Sequence, residues 1–155
     1  MEEMWTKKNT QHKWTAITIG DILGSGLAII KKTNRRNIKK CIAGDTCLWK
    51  ILIGESAYFI WKLQCERVIG NDNTPFTPAE IKKRWTNMIN EWLQLDCRMS
   101  HKKYGKKAIS KDLVVCTWQN LIHNEDELPD SWTGLTGVLV GIETDMQQRT
   151  GRRGR

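Results

Sequence analysis

The chain of 155 residues carries a net charge of +8, and 39% of its residues are hydrophobic. This length fits one domain that buries about two-thirds of its unfolded surface, and the apolar content excludes general disorder. The positive charge favours a polyanionic partner, nucleic acid or a membrane surface, although lysines that only keep the protein soluble give the same total.

The start of the chain shows no secretory signal, because Lys7, Lys8 and polar residues stand where such a signal has an apolar stretch. The cysteines are odd in number and widely spaced, which is typical of free thiols in a reducing compartment. They are Cys41, Cys47, Cys65, Cys97 and Cys116. We therefore expect an intracellular protein, nuclear or cytoplasmic, that is not secreted.

Residues 1–19 are interpreted as a polar N-terminal segment that precedes a single helical domain over residues 20–142. The glycines near the start of this domain predict a flexible turn, since the G-x-G-x-x-G spacing of a dinucleotide loop is absent. Trp5, Trp14 and Trp132 lie outside strong helical patterns. If these three side chains are exposed, they mark the surface of a missing neighbouring domain.

Residues 31–40 hold six basic residues and no acidic one. Such a run usually stays a solvated loop, and it can equally follow a phosphate backbone, because each neutralised phosphate releases counterions. No aromatic side chain is interleaved, so base stacking is not expected here. The candidate nucleic-acid contacts are Lys31, Lys32, Arg35, Arg36, Lys39 and Lys40.

The apolar stretch over residues 47–70 predicts the central helix of the fold. Its apolar side chains recur at helical spacing on more than one face, and a helix that is apolar nearly all round is normally buried. Such a helix spans roughly 35 Å, enough to cross a small domain. Lys50, Glu55 and Lys62 interrupt the stretch, so no run of about 18 apolar residues remains to cross a membrane.

A second helix is predicted to begin after a loop at residues 70–75. Thr77 is placed to cap it, Pro78 occupies a position that needs no N–H, and Glu80 completes a capping box. The apolar residues that follow predict an amphipathic helix packed against the central one. They are Ile81, Trp85, Met88, Ile89, Trp92, Leu93 and Leu95.

Residues 102–107 form a second basic patch, in which an aromatic side chain lies among the lysines. Such residues hold a nucleic-acid backbone and stack one base; the alternative is a basic loop whose tyrosine packs into the core. The candidate contacts are Lys102, Lys103, Tyr104, Lys106 and Lys107.

Ser110 predicts the N-cap of a third helix that ends near residues 123–124, with Ile109 and Val114 as a hydrophobic staple. Beyond it, residues 137–142 form a short apolar run. This run is either a strand or an extended segment packed on the helices.

Residues 143–155 end in an arginine- and glycine-rich tail that is expected to be disordered and to bind RNA loosely, with Arg152 and Arg153 as candidate contacts. The elements together predict a mainly α fold. It is a small bundle of about three to four helices around a buried central helix, with short extended segments and a disordered basic tail.

No group of residues in the chain suggests catalysis. Cys97 and His101 have the spacing of one arm of a zinc site, but a structural site needs four ligands and no second pair stands near. The acidic residues are too scattered for a two-metal nuclease site, and no nucleophile–base pair has an orienting group. The sequence therefore predicts no enzyme, no cofactor and no metal ion.

Two blocks of sequence resemble those of a known protein family. One is ILIGESAYFIWKLQCERVI at residues 51–69; the other runs from YGKKA at residues 104–108 through LPDSWT to GVLVGI at residues 137–142. With GDILG at residues 20–24, they resemble the C-terminal region of fungal, basidiomycete-type non-LTR retrotransposon reverse transcriptase polyproteins. The resemblance covers most of residues 14–142.

This resemblance implies a region downstream of the polymerase and of the reverse-transcriptase zinc-binding domain. No catalytic residue carries over, because the chain matches no acidic polymerase motif, no ribonuclease H acidic set and no close Cys/His cluster. The resemblance implies a detached or decayed C-terminal piece that contacts nucleic acid and is not an enzyme. The basic runs and the arginine tail predict that this binding to RNA or DNA is electrostatic and without sequence preference.

The missing upstream part of the polyprotein is a second candidate partner, and no membrane partner is expected. The alternative function is a structural or protein-interaction remnant without nucleic-acid activity, which needs only the helical core.

Overall fold

The computed structural model describes residues 1–8, 13–31 and 39–142, with the side chains of residues 39–42 left out. This part of the chain holds five α-helices: α1 (Glu2–Lys8), α2 (Ile19–Leu23), α3 (Lys39–Gly70), α4 (Pro78–Met99) and α5 (Lys111–Trp118). Short 3₁₀ helices lie at Ser25–Leu27, Lys102–Lys107, Glu125–Glu127 and Trp132–Gly134.

The prediction of a mainly α fold is confirmed. Within the described ranges, no helix combines the length and the apolar character that crossing a membrane requires. The predicted disordered tail, residues 143–155, lies outside the described residues.

The central helix α3 ends at Gly70, as predicted, but it begins at Lys39 rather than at Cys47. Lys39 and Lys40 were expected in a solvated loop and instead belong to the first turn of the helix. The added turns bring Gly44 against α5 and bury Asp45. The close packing at Gly44 extends the helix beyond the point where the basic run predicted a loop.

Burial on α3 follows one face of the helix. The buried side chains on that face are Leu48, Leu52, Ile53, Ser56, Phe59 and Leu63. Several large apolar side chains of the C-terminal half are exposed instead: Tyr58, Ile60, Trp61, Val68 and Ile69. The two groups are equally apolar, so only the position of the neighbouring helices decides which of them is buried.

The helix α5 crosses α3 at Gly44 in unusually close contact. A Cβ atom at this position would lie 2.8 Å from Cβ of Cys116 and closer still to its carbonyl group. Trp118 at the end of α5 is fully buried, and its Nε1–H donates to Oδ2 of Asp96 on α4 at 2.8 Å. The helices α3, α4 and α5 are therefore joined near one point.

The helix α5 ends at Trp118, so the predicted end near residues 123–124 is wrong. Asn120 adopts a left-handed conformation with φ of 67°, and its N–H donates to Oε2 of Glu125 at 2.6 Å. Asparagine tolerates this conformation because its short polar side chain forms local hydrogen bonds. Ile122 then pairs with Val140 in an antiparallel bridge.

The helix α4 forms where predicted, but Ile81 and Leu95 of the predicted apolar stripe are exposed. Thr77 Oγ1 accepts a hydrogen bond from the N–H of Glu80 at 3.2 Å, and the Glu80 carboxylate lies 3.8 Å from the guanidinium of Arg84. The helix packs against α3, where Trp85 Nε1–H donates to Ser56 Oγ at 2.8 Å. Its buried residues are Ile89, Leu93 and Cys97.

The apolar run at residues 137–142 is an extended segment packed on the helices. Val138 and Val140 are buried, and the N–H of Val140 donates to Oδ1 of Asn90 at 2.8 Å. Gln94 donates to the carbonyl of Val138. Polar side chains of α4 thus satisfy backbone groups that a neighbouring strand would otherwise pair.

The helix α1 packs against the domain that was predicted over residues 20–142. Trp5 is buried, and its ring meets that of Trp49 edge to face with centroids 5.1 Å apart. The ring of Trp14, half-buried, lies 5.6 Å from that of Trp49. Since Trp132 is buried too, these tryptophans belong to the fold and do not mark a missing neighbour.

The segment that was expected to be a flexible turn contains the short helix α2. Thr18 and Asp21 form a capping box, in which Asp21 N–H donates to Thr18 Oγ1 and Thr18 N–H donates to Asp21 Oδ2 at 2.8 Å. These reciprocal bonds start a helix despite the glycines.

We expect Gly44→Ala to lower the free energy of unfolding by about 2 kcal/mol or more, because the new methyl group meets the backbone of α5, which cannot turn aside. Chemical denaturation followed by circular dichroism measures this change.

Gly54→Ala is the matched control on the same helix. The nearest heavy atom to its new Cβ is Ser25 Oγ at 3.9 Å, so the higher helix propensity of alanine should raise the free energy of unfolding by about 0.5–1 kcal/mol. A Gly44→Ala protein as stable as this control would contradict the close crossing.

Candidate nucleic-acid interface

The basic patch predicted at residues 102–107 forms two short 3₁₀ turns, separated by a kink at Gly105, in the loop between α4 and α5. The loop is closed at its base, where Ile109 N–H donates to the carbonyl of Met99 at 3.0 Å. At its start, Nδ1 of His101 accepts from the N–H of Lys103 at 3.2 Å. Gly105 turns the chain at φ 53° and ψ −127°, a conformation that glycine adopts far more readily than other residues.

The loop displays its basic side chains on the surface. All four lysines, Lys102, Lys103, Lys106 and Lys107, are exposed. Tyr104 is 38% exposed, and Nζ of Lys103 lies 5.0 Å from its ring centroid, within reach of a cation–π contact. The alternative of a tyrosine packed into the core is therefore wrong.

Two further basic residues extend this patch, and the sequence analysis missed them. Arg98 in the last turn of α4 and Lys111 in the first turn of α5 are both exposed. Residues 97–111 contain six Lys and Arg residues and no acidic residue. This longer stretch without acidic residues was the signal available in the sequence. We name residues 97–111 the α4–α5 basic loop.

The other predicted contacts fall partly outside the described residues. Lys31 is exposed and follows Ile30, whose N–H donates to Thr46 Oγ1 on α3 at 3.0 Å. Lys39 and Lys40 lie in the first turn of α3, described as backbone only. The predicted contacts that lie outside the described ranges are Lys32, Arg35, Arg36, Arg152 and Arg153. The structure thus brings together the members of the α4–α5 basic loop.

A cavity of about 320 Å³ opens beside this loop, between α3, α4 and α5. Its polar lining includes Cys47, Lys50, Glu55, Asp96 and Thr117. Burial raises the pKa of Asp96, and the hydrogen bond from Trp118 lowers it only in part.

The thiols near this cavity are held in their neutral form. Burial, with a smaller contribution from the charge of Asp96, raises the pKa of Cys97 to about 11. Burial likewise raises the pKa of Cys47. Because the thiolate is the reactive form of cysteine, both side chains are poor nucleophiles and poor metal ligands at neutral pH.

Cys97 and His101, whose spacing suits one arm of a zinc site, lie in different surroundings. Cys97 is buried in the core, whereas His101 is exposed and hydrogen-bonded to the backbone of the basic loop. In the part of the chain that the structure describes, no three His, Cys, Asp or Glu side chains are grouped so that they hold a metal ion.

No protein family, curated protein or solved structure matches the chain. Function is therefore inferred from the arrangement of the residues themselves.

Asp96→Asn is expected to change how stability depends on pH. The folded-state pKa of Asp96 is raised, so its contribution to stability is full below the unfolded value, near 3.8, and is lost as the pH rises through the folded value. Asparagine keeps an acceptor for Trp118 without this loss. The variant should unfold at a higher temperature than the native protein at pH 7, and the difference should narrow below pH about 4.

Asp130→Asn removes an exposed carboxylate and is the control, expected to follow the native protein throughout this pH range. If Asp96→Asn is instead the less stable protein at pH 7, the ionised Asp96 carboxylate is stabilising and the proposed cost of burying it is refuted.

Proposed function

We propose that this chain is a non-catalytic nucleic-acid-binding module, derived from the C-terminal region of a non-LTR retrotransposon reverse transcriptase polyprotein. It binds RNA or DNA electrostatically and without sequence preference. The single observation that carries this proposal is the α4–α5 basic loop: six basic residues and no acid on a loop tied at its base.

The geometry of the loop favours phosphate binding over simple solubilisation. The bond between Ile109 and Met99 and the cap from His101 fix the backbone before any ligand arrives, so less conformational entropy is lost on binding.

Tyr104 gives this loop a preference for unpaired strands. Lys103 lies over the ring, which is 38% exposed and can stack on one base. A duplex offers its phosphates to the lysines but keeps its bases stacked inside, so it gains the electrostatic part of the binding alone.

In the described part of the chain, Cys47, Cys65 and Cys97 are free thiols. This state fits a reducing compartment, and we place the protein inside the cell. A protein-interaction role without nucleic-acid affinity is the second candidate. It is favoured by the exposed aromatic pair Tyr58 and Trp61, whose ring centroids lie 5.7 Å apart on the surface of α3.

Changing Lys102, Lys106 and Lys107 together to glutamine tests the proposed function. The slope of log affinity against log salt for single-stranded RNA should fall by about 2, because each phosphate contact on a single strand contributes about 0.7. Fluorescence anisotropy with a mixed-sequence RNA strand and a DNA duplex, from about 50 to 200 mM salt, measures both slope and affinity.

The control variant changes Lys13, Lys62 and Lys83 to glutamine. These lysines are exposed and lie outside the basic loop, so the net charge changes equally while the proposed surface stays intact. If both variants lose the same affinity, binding depends on total charge and not on the loop. If the native protein does not bind RNA or DNA even at low salt, the nucleic-acid role is refuted and the interaction role remains.

A further inference from the structure

A groove of about 630 Å³ lies between the C-terminal half of α3 and the N-terminal half of α4, far from the basic loop. Its walls are largely apolar. The main wall residues are Phe59 and Leu63 from α3, Phe76 from the connecting segment, and Ile81 and Trp85 from α4. This volume is in the range of about 300–1,000 Å³ that is typical of ligand sites.

Two contacts between the helices set the width of the groove. Trp85 Nε1–H donates to Ser56 Oγ at 2.8 Å, and Nη1 of Arg84 donates to Oε1 of Glu66 at 3.2 Å. The guanidinium of Arg84 also lies 5.0 Å from the ring centroid of Phe76. The groove is therefore formed in advance of any ligand.

The charged groups of the groove are basic. Arg67 and Lys82 line it, and no acidic residue of the described chain does. Nε of Arg67 is buried and has no hydrogen-bond partner among the residues that the structure describes. Guanidinium and ammonium groups on a groove wall bind a carboxylate through charge-assisted hydrogen bonds. The groove thus fits an apolar body that carries an acidic group.

The surroundings of the groove indicate a macromolecular ligand. Ile60, which lines the groove, is 62% exposed, and the apolar surface continues beyond it to Trp61, which is 61% exposed. A small-molecule site normally buries about 70–90% of its ligand, which a groove with such an open edge does not achieve. An amphipathic helix has the required shape, because its apolar side chains fill a groove while its polar face stays in water.

We propose that this groove binds an amphipathic, acidic helix of a partner protein. Apolar side chains of that helix pack between Phe59, Leu63 and Trp85, and one of its carboxylates accepts hydrogen bonds from Arg67. This surface is separate from the α4–α5 basic loop, so the inference does not depend on the proposed function.

Two synthetic helical peptides serve as probes for the full chain. One carries leucines along one face and glutamates beside them, and the other has lysine in place of each glutamate. The acidic peptide should bind saturably and at least about tenfold more tightly, since one charge-assisted hydrogen bond is worth about that factor. Isothermal titration calorimetry gives the affinities, and amide NMR shifts of Phe59, Leu63 and Trp85 locate the site.

Exposed positions on α3 provide a matched pair of variants. Ile60→Glu puts a like charge in the groove and should weaken binding of the acidic peptide at least about tenfold. Ile69→Glu makes the same change outside the groove lining, at a side chain that is 85% exposed, and should leave affinity unchanged. Thermal unfolding verifies that both variants fold.

Two further variants separate the groove from general charge attraction. Arg67→Gln should weaken the acidic peptide about tenfold. Arg67→Gln removes one positive charge, whereas changing Lys102, Lys106 and Lys107 to glutamine removes three. This triple variant should nevertheless bind the peptide as the native chain does.

The proposal is overturned if the two peptides bind equally, if Ile60→Glu and Ile69→Glu behave alike, or if the shifted amides lie at the basic loop. It is also overturned if sedimentation shows a dimer that Ile60→Glu dissociates, because a second copy of the chain then occupies the groove. If the variant with Lys102, Lys106 and Lys107 changed to glutamine loses RNA binding but still binds the peptide, the basic loop and the groove are supported as independent surfaces.

Discussion

A close approach in the core, between Gly44 of α3 and the backbone of Cys116 in α5, sets how near α5 lies to α3. With no side chain at this crossing, α5 lies close enough to α3 for Trp118 to be fully buried and to reach Asp96 on α4. Nζ of Lys8 in α1 then donates to carbonyl groups at the C-terminal end of α5, where a cation is favoured by the helix dipole. Through these bonds α5 ties α1 and α4 to the N-terminal half of α3, in addition to the direct contacts that α4 and α1 make with Ser56 and Trp49 of α3.

This arrangement also explains why the basic loop has a defined shape although all its lysines are in solvent. The loop starts at the end of α4 and finishes at the beginning of α5, and the core holds both helix ends through Asp96 and Trp118. The hydrogen bond from Ile109 to Met99 closes its base. Stability therefore comes from the buried residues, while the loop is free to carry charge that would destabilise an element packed in the core.

The sequence predicted α4 well because the cap at its start and the apolar stripe along its length are both local signals. It failed at the start of α3, where packing around Gly44 and Asp45 outweighs a basic run. It failed again at the end of α5, since Leu121 and Ile122 continue the helical spacing while Asn120 turns the backbone away. For the site, the lysines were visible in the sequence. The groove was not, because it arises from the separation of two helices.

The two proposed surfaces lie at opposite ends of α4, and this geometry has a physical consequence. Of α4, Pro78, Ile81, Lys82 and Trp85 line the groove, and the lysines of the basic loop follow Met99 at the other end of this helix. Fourteen helical residues correspond to roughly 20 Å, about twice the distance over which charges interact at physiological salt. Arg67 and the loop lysines therefore do not compete for the same anion, and an acidic helix in the groove does not weaken the attraction of the loop for phosphate. On these two proposals, a partner protein and a nucleic-acid strand can occupy the chain together.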